Sequence, residues 1–380
     1  MKYQDRDTEM TIEVVKVDSP AKLRRFINVP WKIYKKDPMW IPPLRMAVHD
    51  LFKPTHPFYE TGEMQSWLAI ENGEEVGRIS AVNCHAYNKY HDEKTGFFGF
   101  FEAQNKDISK ILFETAESWL KEKGLNTVQG PFSPTTNYEC GLLVEGFDDP
   151  PQIMMQYNPK EYLTTIESLG YKKAKDLLAY VIPTKFEMPE VIKKIAARTE
   201  SRSKITYRSI SKKTWERDVN QMLDIYNSAW EKNWGFIPMT EAEFRHTAKD
   251  LKSVVDEKLI IFADVDGDPA GFIVTLPDFN QVLKTIKNGK LLPFGIFKLL
   301  MNMNKVNRCR TITLGVKAKY RNLGLGPLLY QKSHQTLLDQ GKYHEIEMSW
   351  VLEDNLDMNK PIIRMGGKPY KRYRIFEKSL

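Results

Sequence analysis

The stretch 310–341 constrains the fold of this 380-residue chain more than any other part of it. Residues 310–316 read as a strand, Arg321-Asn322-Leu323-Gly324-Leu325-Gly326 as a loop, and 327–340 as a helix closed by Gly341. A glycine-bearing loop that runs into a helix N-terminus gathers several free backbone N–H groups at one place, and the helix dipole adds favourable potential for an anion. Gly324 and Gly326 allow a ligand close to the backbone, and Pro327 suits the first helical turn, where its missing N–H is not needed. Lys317, Lys319 and Arg321 place positive charge on the approach. Two other phosphate-binding patterns fail on detail. Leu329 stands where a dinucleotide fingerprint needs its third glycine, and no Gly-Lys-Ser/Thr comes after the loop for a P-loop.

A chain of this length suits two domains, and the order of its elements recurs. Residues 1–185 predict a strand at 12–17, a helix at 20–34 and a hairpin of 67–70 and 76–82 about Asn72-Gly73. A strand at 97–101, an amphipathic helix at 108–123, a strand from 127, a helix at 162–169 and a strand at 177–182 complete that half. Residues 204–380 predict a strand at 205–210, a helix at 219–230 and a hairpin of 259–263 and 270–276 about Asp266-Gly267. The strand, loop and helix of 310–341 come next, then a strand at 345–352, a helix at 358–365 and a strand at 370–376. Asn158 precedes Gly170 by twelve positions and Asn355 precedes Gly366 by eleven. The segment 186–203, where Pro, Lys and Arg accumulate around a short helix, reads as the linker.

Three scattered cysteines without C-x-x-C spacing argue for a reducing compartment. The first ten residues lack the apolar core of a signal peptide, and the longest apolar run, 291–303, is broken by Lys298 and too short to span a bilayer. A soluble cytoplasmic protein is expected. The formal charge of +7 suits an anionic ligand, yet it is modest enough to be compatible with none.

The glycine loop and the segment after it resemble the GNAT superfamily of acyl-CoA-dependent N-acyltransferases. Its Arg/Gln-x-x-Gly-x-Gly/Ala signature after a fourth strand matches Arg321-x-x-Gly324-x-Gly326, and its Asn opening a short helix that ends in Gly matches Asn355 and Gly366. The resemblance covers 205–380. It implies an α+β protein of two tandem GNAT-like domains, each a mixed, mostly antiparallel twisted sheet flanked by helices. Residues 1–185 would be a degenerate domain without a glycine loop, and 204–380 the domain with the acyl-CoA pyrophosphate loop. By resemblance the coenzyme is held by the backbone near Leu314 and Val316, by Arg321, Asn322, Leu323, Gly324, Leu325 and Gly326, and by Asn355. The pantetheine arm lies between splayed fourth and fifth strands.

Amine acylation needs a base for the acceptor's proton and an acid for the departing thiolate. Where the family's usual strand Glu and helix Tyr belong, this chain has Thr313 and Ile362. Glu347 and Glu353 share one face of the fifth strand by alternation, and Tyr370 or Tyr373 offers a phenol. Glu347, Glu353 and Tyr373 are therefore the candidate catalytic residues. His85 and His91 sit six apart in a loop-like stretch, and no metal is expected.

In the first half, Glu102-Ala103-Gln104-Asn105-Lys106-Asp107 occupies the place of the glycine loop, with two acids that would repel a phosphate. One coenzyme site is expected, not two. The segment 131–159, rich in Pro, Gly and aromatic residues, is expected either to line the acceptor cleft or to cover apolar surface. The insertion 279–305 carries Lys284, Lys287, Lys290, Lys298 and Lys305 with no acidic residue. Packing on the other domain with its lysines in water is the favoured expectation, and contact with a membrane surface the second. The functional expectation is acyl transfer from acetyl-CoA, or another acyl-CoA, to a small-molecule or peptide amine, with no nucleic-acid partner. A non-catalytic acyl-CoA-binding protein and a Fem-type aminoacyl transferase compete with it. The glycine loop, which the Fem type does not preserve, favours CoA.

Overall fold

The computed structural model of the protein describes residues 12–252 and 254–380. The first half opens with β1 (Ile12–Lys16), α1 (Pro20–Ile33) and α2 (Arg45–Leu51), then the hairpin β2 (Gly62–Glu71) and β3 (Glu74–Cys84). It continues through α3 (His85–His91), β4 (Thr95–Ala103), α4 (Lys106–Glu122) and β5 (Thr127–Gly130). Short strands β6 (Phe132–Ser133), β7 (Glu139–Cys140) and β8 (Leu142–Glu145) precede α5 (Glu161–Ser168) and β9 (Lys172–Pro183). Helix α6 (Glu190–Arg202) leads into the second half: β10 (Ile205–Ser209), α7 (Trp215–Trp230), α8 (Glu241–Leu251), β11 (Ile260–Val265) and β12 (Asp268–Pro277). The insertion forms α9 (Asn280–Leu283) and α10 (Gly295–Asn302). After it come β13 (Arg308–Val316), α11 (Leu325–Gln340), β14 (Glu345–Leu352), α12 (Leu356–Arg364) and β15 (Lys368–Ser379). The chain is α+β, with a mixed sheet flanked by helices, as its pattern predicts.

The two halves do not keep separate sheets. Strand β9 pairs antiparallel with β14, while β15 pairs antiparallel with β5, β8 and β9. Each half's last strand thus completes the other half, and one thirteen-stranded sheet results. Buried Asp176 of β9 ties the exchanged strands by accepting from Arg374 at 2.8 Å and Arg372 at 3.1 Å. Leu177 and Ala179 of β9, Tyr373 and Ile375 of β15, and Leu352 of β14 share one apolar cluster with Phe97 of β4. Burial on this scale is the main favourable term in folding.

Two pairs in the sheet are parallel, β4 with β5 and β13 with β14, and each holds for only a few residues before its strands diverge. The two gaps have different fates. In the first half the backbone of β6 fills it: a Cβ on Gly99 would lie 1.7 Å from the Phe132 carbonyl oxygen, and the Phe100 N–H donates to Ser133 Oγ at 3.2 Å. In the second half the gap stays open.

Three details correct the expectations. Strand β4 runs through Ala103 and Asn105 caps α4, so Glu102 lies in a strand rather than a phosphate-facing loop. Its buried carboxylate accepts from Tyr34 at 2.9 Å and Tyr162 at 3.0 Å. Helix α6, in the segment read as a linker, packs under the glycine loop, where Thr199 Oγ1 donates to the Leu323 carbonyl at 2.5 Å. The insertion meets the first half at two places: in its 284–290 turn, where Trp31 Nε1 donates to the Lys287 carbonyl at 2.8 Å and Arg45 Nε to that of Asn288 at 2.7 Å, and at Asn280, whose Nδ2 donates to the Pro151 carbonyl at 2.9 Å.

A polar clasp joins the halves elsewhere. Asp50, His56 and His246 bring their ligand-type atoms within 4.8 Å of one another, the one such group among the described residues. Within the group His246 Nε2 bonds Asp50 at 2.7 Å, and His56 Nδ1 accepts from the Phe58 N–H at 3.3 Å. Burial, and then the charge of His246, push His56 down to about 4.

The strand exchange and the clasp can each be tested. A fragment of residues 189–380 lacks β9 between β14 and β15, so it should aggregate or lack cooperative unfolding by circular dichroism, and co-expression with 1–188 should restore solubility. His56 is neutral in the folded state, so its contribution is present above its ordinary pKa near 6.5 and is lost as pH falls toward 4. Between about pH 7.5 and 5 the loss should be about 2 kcal/mol, read by denaturant unfolding, and His56→Gln should flatten that dependence.

Candidate active site

The open gap beside β13 is a cleft of about 700 Å³. Strands β13 and β14 pair only from Arg308 to Thr311 against Glu345 to Met348. Beyond that point Thr313, Leu314 and Val316 line one wall, and Ser349, Trp350 and Val351 the other. At its end Arg321, Asn322, Gly324 and Gly326 line the cleft with Pro327, and Asn355 faces them. The expected loop is thus assembled, with a division the motif does not reveal. Leu325 is fully buried in a cluster with Ala196 and Ala270, and Leu323 packs against that cluster. These two leucines anchor the loop, while Arg321, Asn322, Gly324 and Gly326 face the cleft.

The glycines differ in role. Gly324 has φ +83° and forms the N-cap of α11, with Ile195 and Thr199 only 2.8 Å from where a Cβ would be. Gly326 has nothing within 4 Å of that position, so its missing side chain leaves space in the cleft. Of the three basic residues on the approach, Lys317 pairs with Asp224 at 2.8 Å and Lys319 with Asp268 at 2.8 Å. Their charge is compensated locally. Arg321 has no carboxylate partner among the described residues and donates to the carbonyls of Ser228 and Ala229, both at 3.0 Å.

Past Thr313 a second space of about 230 Å³ adjoins the cleft, with Trp230, Asn233, Ile312, Thr313 and Trp350 lining both. This inner cavity is walled by Trp215, Met222, Phe244, Phe272 and Val274. Thr313 Oγ1 is buried without a protein partner. A third cavity of about 180 Å³ lies in the first half, walled by Tyr34, Trp40, Arg78, Phe100, Glu102 and Tyr157. Glu139 and Met154 line both it and the inner cavity. The segment 131–159 therefore lines two cavities and forms the partition between them.

Glu139 is not singled out by the sequence, and no motif marks it. Its side chain is open to the cavities, yet desolvation by the surrounding protein raises its carboxyl pKa. Arg310 and Arg78 pull the other way. Desolvation also raises Glu102, to about 7.

The candidate catalytic residues lie elsewhere. Glu347 is fully buried behind Arg310: it takes a hydrogen bond from Ser349 and another from Tyr370, and its Oε1 is 3.4 Å from Arg310 Nε. Arg310 in turn donates to Ser349 Oγ at 2.6 Å and to the Ile153 carbonyl at 2.8 Å, fixing the partition segment to β13. Glu353 lies past the end of β14, paired with Lys173 at 2.6 Å on the surface of β9. Tyr373 is fully buried with its hydroxyl unpartnered, and lines none of the three cavities. Alternation groups Glu347 with Glu353, but the shift of β14 against β9 between Met348 and Val351 separates their surroundings.

This geometry distinguishes the two glycines experimentally. Gly326→Trp should leave the thermal unfolding curve within about 1 kcal/mol of wild type while abolishing CoA binding by calorimetry. Gly324→Val should lower stability by more than that, because it adds a left-handed β-branched residue against α6.

Residues 219–360 match the family described as acetyltransferase (GNAT) family. The chain is similar over nearly its whole length to a bacterial ceramide synthase of Caulobacter vibrioides, 38% identical over 381 residues, covering 98% of this chain and 99% of that protein. It is also similar to protein YghO of Escherichia coli K12, 37% identical over 365 residues, with 94% and 93% covered. Among solved structures, a tandem GNAT protein from the clavulanic acid biosynthesis pathway shares the fold, with a TM-score of 0.56 at 11% identity over 97% of this chain and 98% of that one. With a glycine loop at the head of α11, an open cleft between β13 and β14, and these relatives, the chain belongs to the GNAT superfamily and is one of its tandem-domain acyltransferases.

Proposed function

We propose that the protein transfers a long acyl chain from acyl-CoA to the amine of an amphiphilic acceptor. The observation that carries this reading is the apolar inner cavity that adjoins the cleft across Trp230, Ile312, Thr313 and Trp350. An acetyl group would leave that cavity unfilled, whereas a longer chain would exclude water from walls such as Met222, Phe244 and Phe272. The name of the Caulobacter relative, a ceramide synthase, supports the same reading, since a ceramide is the N-acyl amide of a long-chain amino alcohol. Of the acyl-CoA donors expected, this reading favours a longer one over acetyl-CoA.

The acceptor would occupy the first-half cavity, with its amine toward the partition. Glu139 is the residue proposed to act as the base, since it lines both cavities. Its desolvated carboxylate would take a proton from the ammonium, and the neutral amine would attack the thioester carbonyl. The C–N bond forms, the C–S bond breaks, and the second amine proton passes to the departing sulfur, so that CoA leaves as the thiol. The unpartnered Thr313 hydroxyl lies where cleft and inner cavity meet and can donate to the acyl carbonyl or the pantetheine. Glu347, buried behind Arg310, takes a positioning role: it holds Arg310 and, through it, Ile153.

Thiol release from acyl-CoAs of increasing length, with a long-chain amino alcohol as acceptor, tests the reading. Turnover should rise with chain length and depend on the acceptor, and Val274→Trp, which fills the inner cavity, should move the optimum to shorter chains. Equal turnover of acetyl-CoA and palmitoyl-CoA would count against it. Glu139→Gln should lower kcat by about 10²–10⁴-fold, retain acyl-CoA binding and remove the acidic limb of the rate profile. That limb should lie above the ordinary glutamate range because the pKa of Glu139 is raised.

A further inference from the structure

We infer that the 279–305 insertion is a docking surface for an anionic lipid bilayer. Its two faces are distinct. The base of the insertion is rooted in the protein, with Phe279, Val282 and Ile286 buried in the second half and Leu299 and Met303 packed against its main core. The outer face presents Leu292, Phe294, Phe297, Leu300 and Met301, which are 60% to 78% exposed. Phe294, Phe297 and Met301 have the i, i+3, i+7 spacing of one side of a helix, opposite Leu299 and Met303. Single exposed apolar residues are ordinary on a soluble surface, whereas these five, gathered between Leu292 and Met301, make a patch of the kind that marks an interaction site.

Charge identifies what covers the patch. Lys284, Lys287, Lys290, Lys298 and Lys305 are all exposed, and none has a carboxylate partner among the described residues. No Asp or Glu lies anywhere in 279–305. Elsewhere lysines are commonly neutralised, as Lys317 and Lys319 are by Asp224 and Asp268. An apolar face on a segment that also carries five exposed, uncompensated lysines complements an acyl layer beneath anionic headgroups. A protein partner with an apolar patch would not need five unpaired lysines on the same segment.

The surface is also held in a set orientation. The Arg45 N–H donates to the Gly289 carbonyl at 2.9 Å, and a Cβ on Gly289 would meet the Trp31 ring at 2.4 Å. These contacts clamp the lysine-bearing turn onto the first half, beside Pro43, which lines the first-half cavity together with Asn280 of the insertion. A bilayer seated here would therefore lie next to that cavity, where an amphiphile could pass between them. No helix among the described residues is long and apolar enough to cross a membrane, so the contact is with the surface.

Vesicle flotation tests this without reference to activity. The full chain should float with vesicles of equal phosphatidylcholine and phosphatidylglycerol, and remain at the bottom with phosphatidylcholine alone. Phe294→Ser combined with Phe297→Ser should reduce partitioning at least about tenfold. Lys290→Glu with Lys298→Glu should reduce it by a similar factor and remove its salt dependence. Because these side chains are exposed, all variants should keep the wild-type melting temperature and CoA affinity. Absence of flotation for the wild type, or flotation unchanged by both double variants, overturns the inference. So does concentration-dependent dimerisation, measured by sedimentation, that is abolished by the phenylalanine variant while vesicle binding persists.

Discussion

The exchange of β9 and β15 is the constraint on which the rest of the molecule depends. A strand supplies hydrogen-bonding partners on both edges, so a last strand that crosses to the other half welds two sheets into one. Asp176 shows how tightly this is specified. It is a buried acid whose charge is retained because two arginines from β15 hold it. Once the sheet is continuous, the two diverging parallel pairs are fixed relative to each other. The partition segment between their cavities then has a defined wall on either side. Arg310, Arg308 and Asp278 hold that partition from the second half through Ile153 and Asp149.

The halves share an architecture and differ in what fills it. Both have a parallel pair that separates after a few residues, which is a slot for an extended ligand. In the first half Gly99 lets β6 enter the slot, so the protein's own backbone takes the ligand's place. The acidic residues expected to repel a phosphate are secondary to this difference between the halves. Glu102 faces the first-half cavity, held by two tyrosines, and its desolvation belongs to that cavity's chemistry. The degenerate half is thus rebuilt around a different pocket.

How much of this is legible in the sequence depends on whether local backbone chemistry or long-range packing sets each feature. The order of strands and helices comes from periodicity, and the glycine loop and Asn355 can be read because their roles are written in backbone requirements at fixed spacing. The strand exchange cannot be read, since β9 and β15 have the same alternation whichever sheet they join. Glu347 and Glu353 illustrate the limit of alternation. It places both on one face, but whether that face meets a cleft, a buried arginine or a surface lysine is decided by other strands. Glu139 lies in a segment without periodicity, which leaves no pattern to single it out. The neutralisation of Lys317 and Lys319 is hidden for a related reason: the acids that pair with them are distant in sequence.

The crossing of β15 also has a consequence for how the protein is made. Residues Lys368–Ser379 leave the ribosome after every other strand of the sheet, and they are the strand that lies between β5 and β9. Until they emerge, both of those strands offer unpaired edges, and the first half waits through the synthesis of the entire second half with its sheet unfinished. Pairing across so great a sequence separation is intrinsically slow. The molecule thus acquires neither half early. The two halves complete their common sheet in one event, when β15 pairs with β5 and β9.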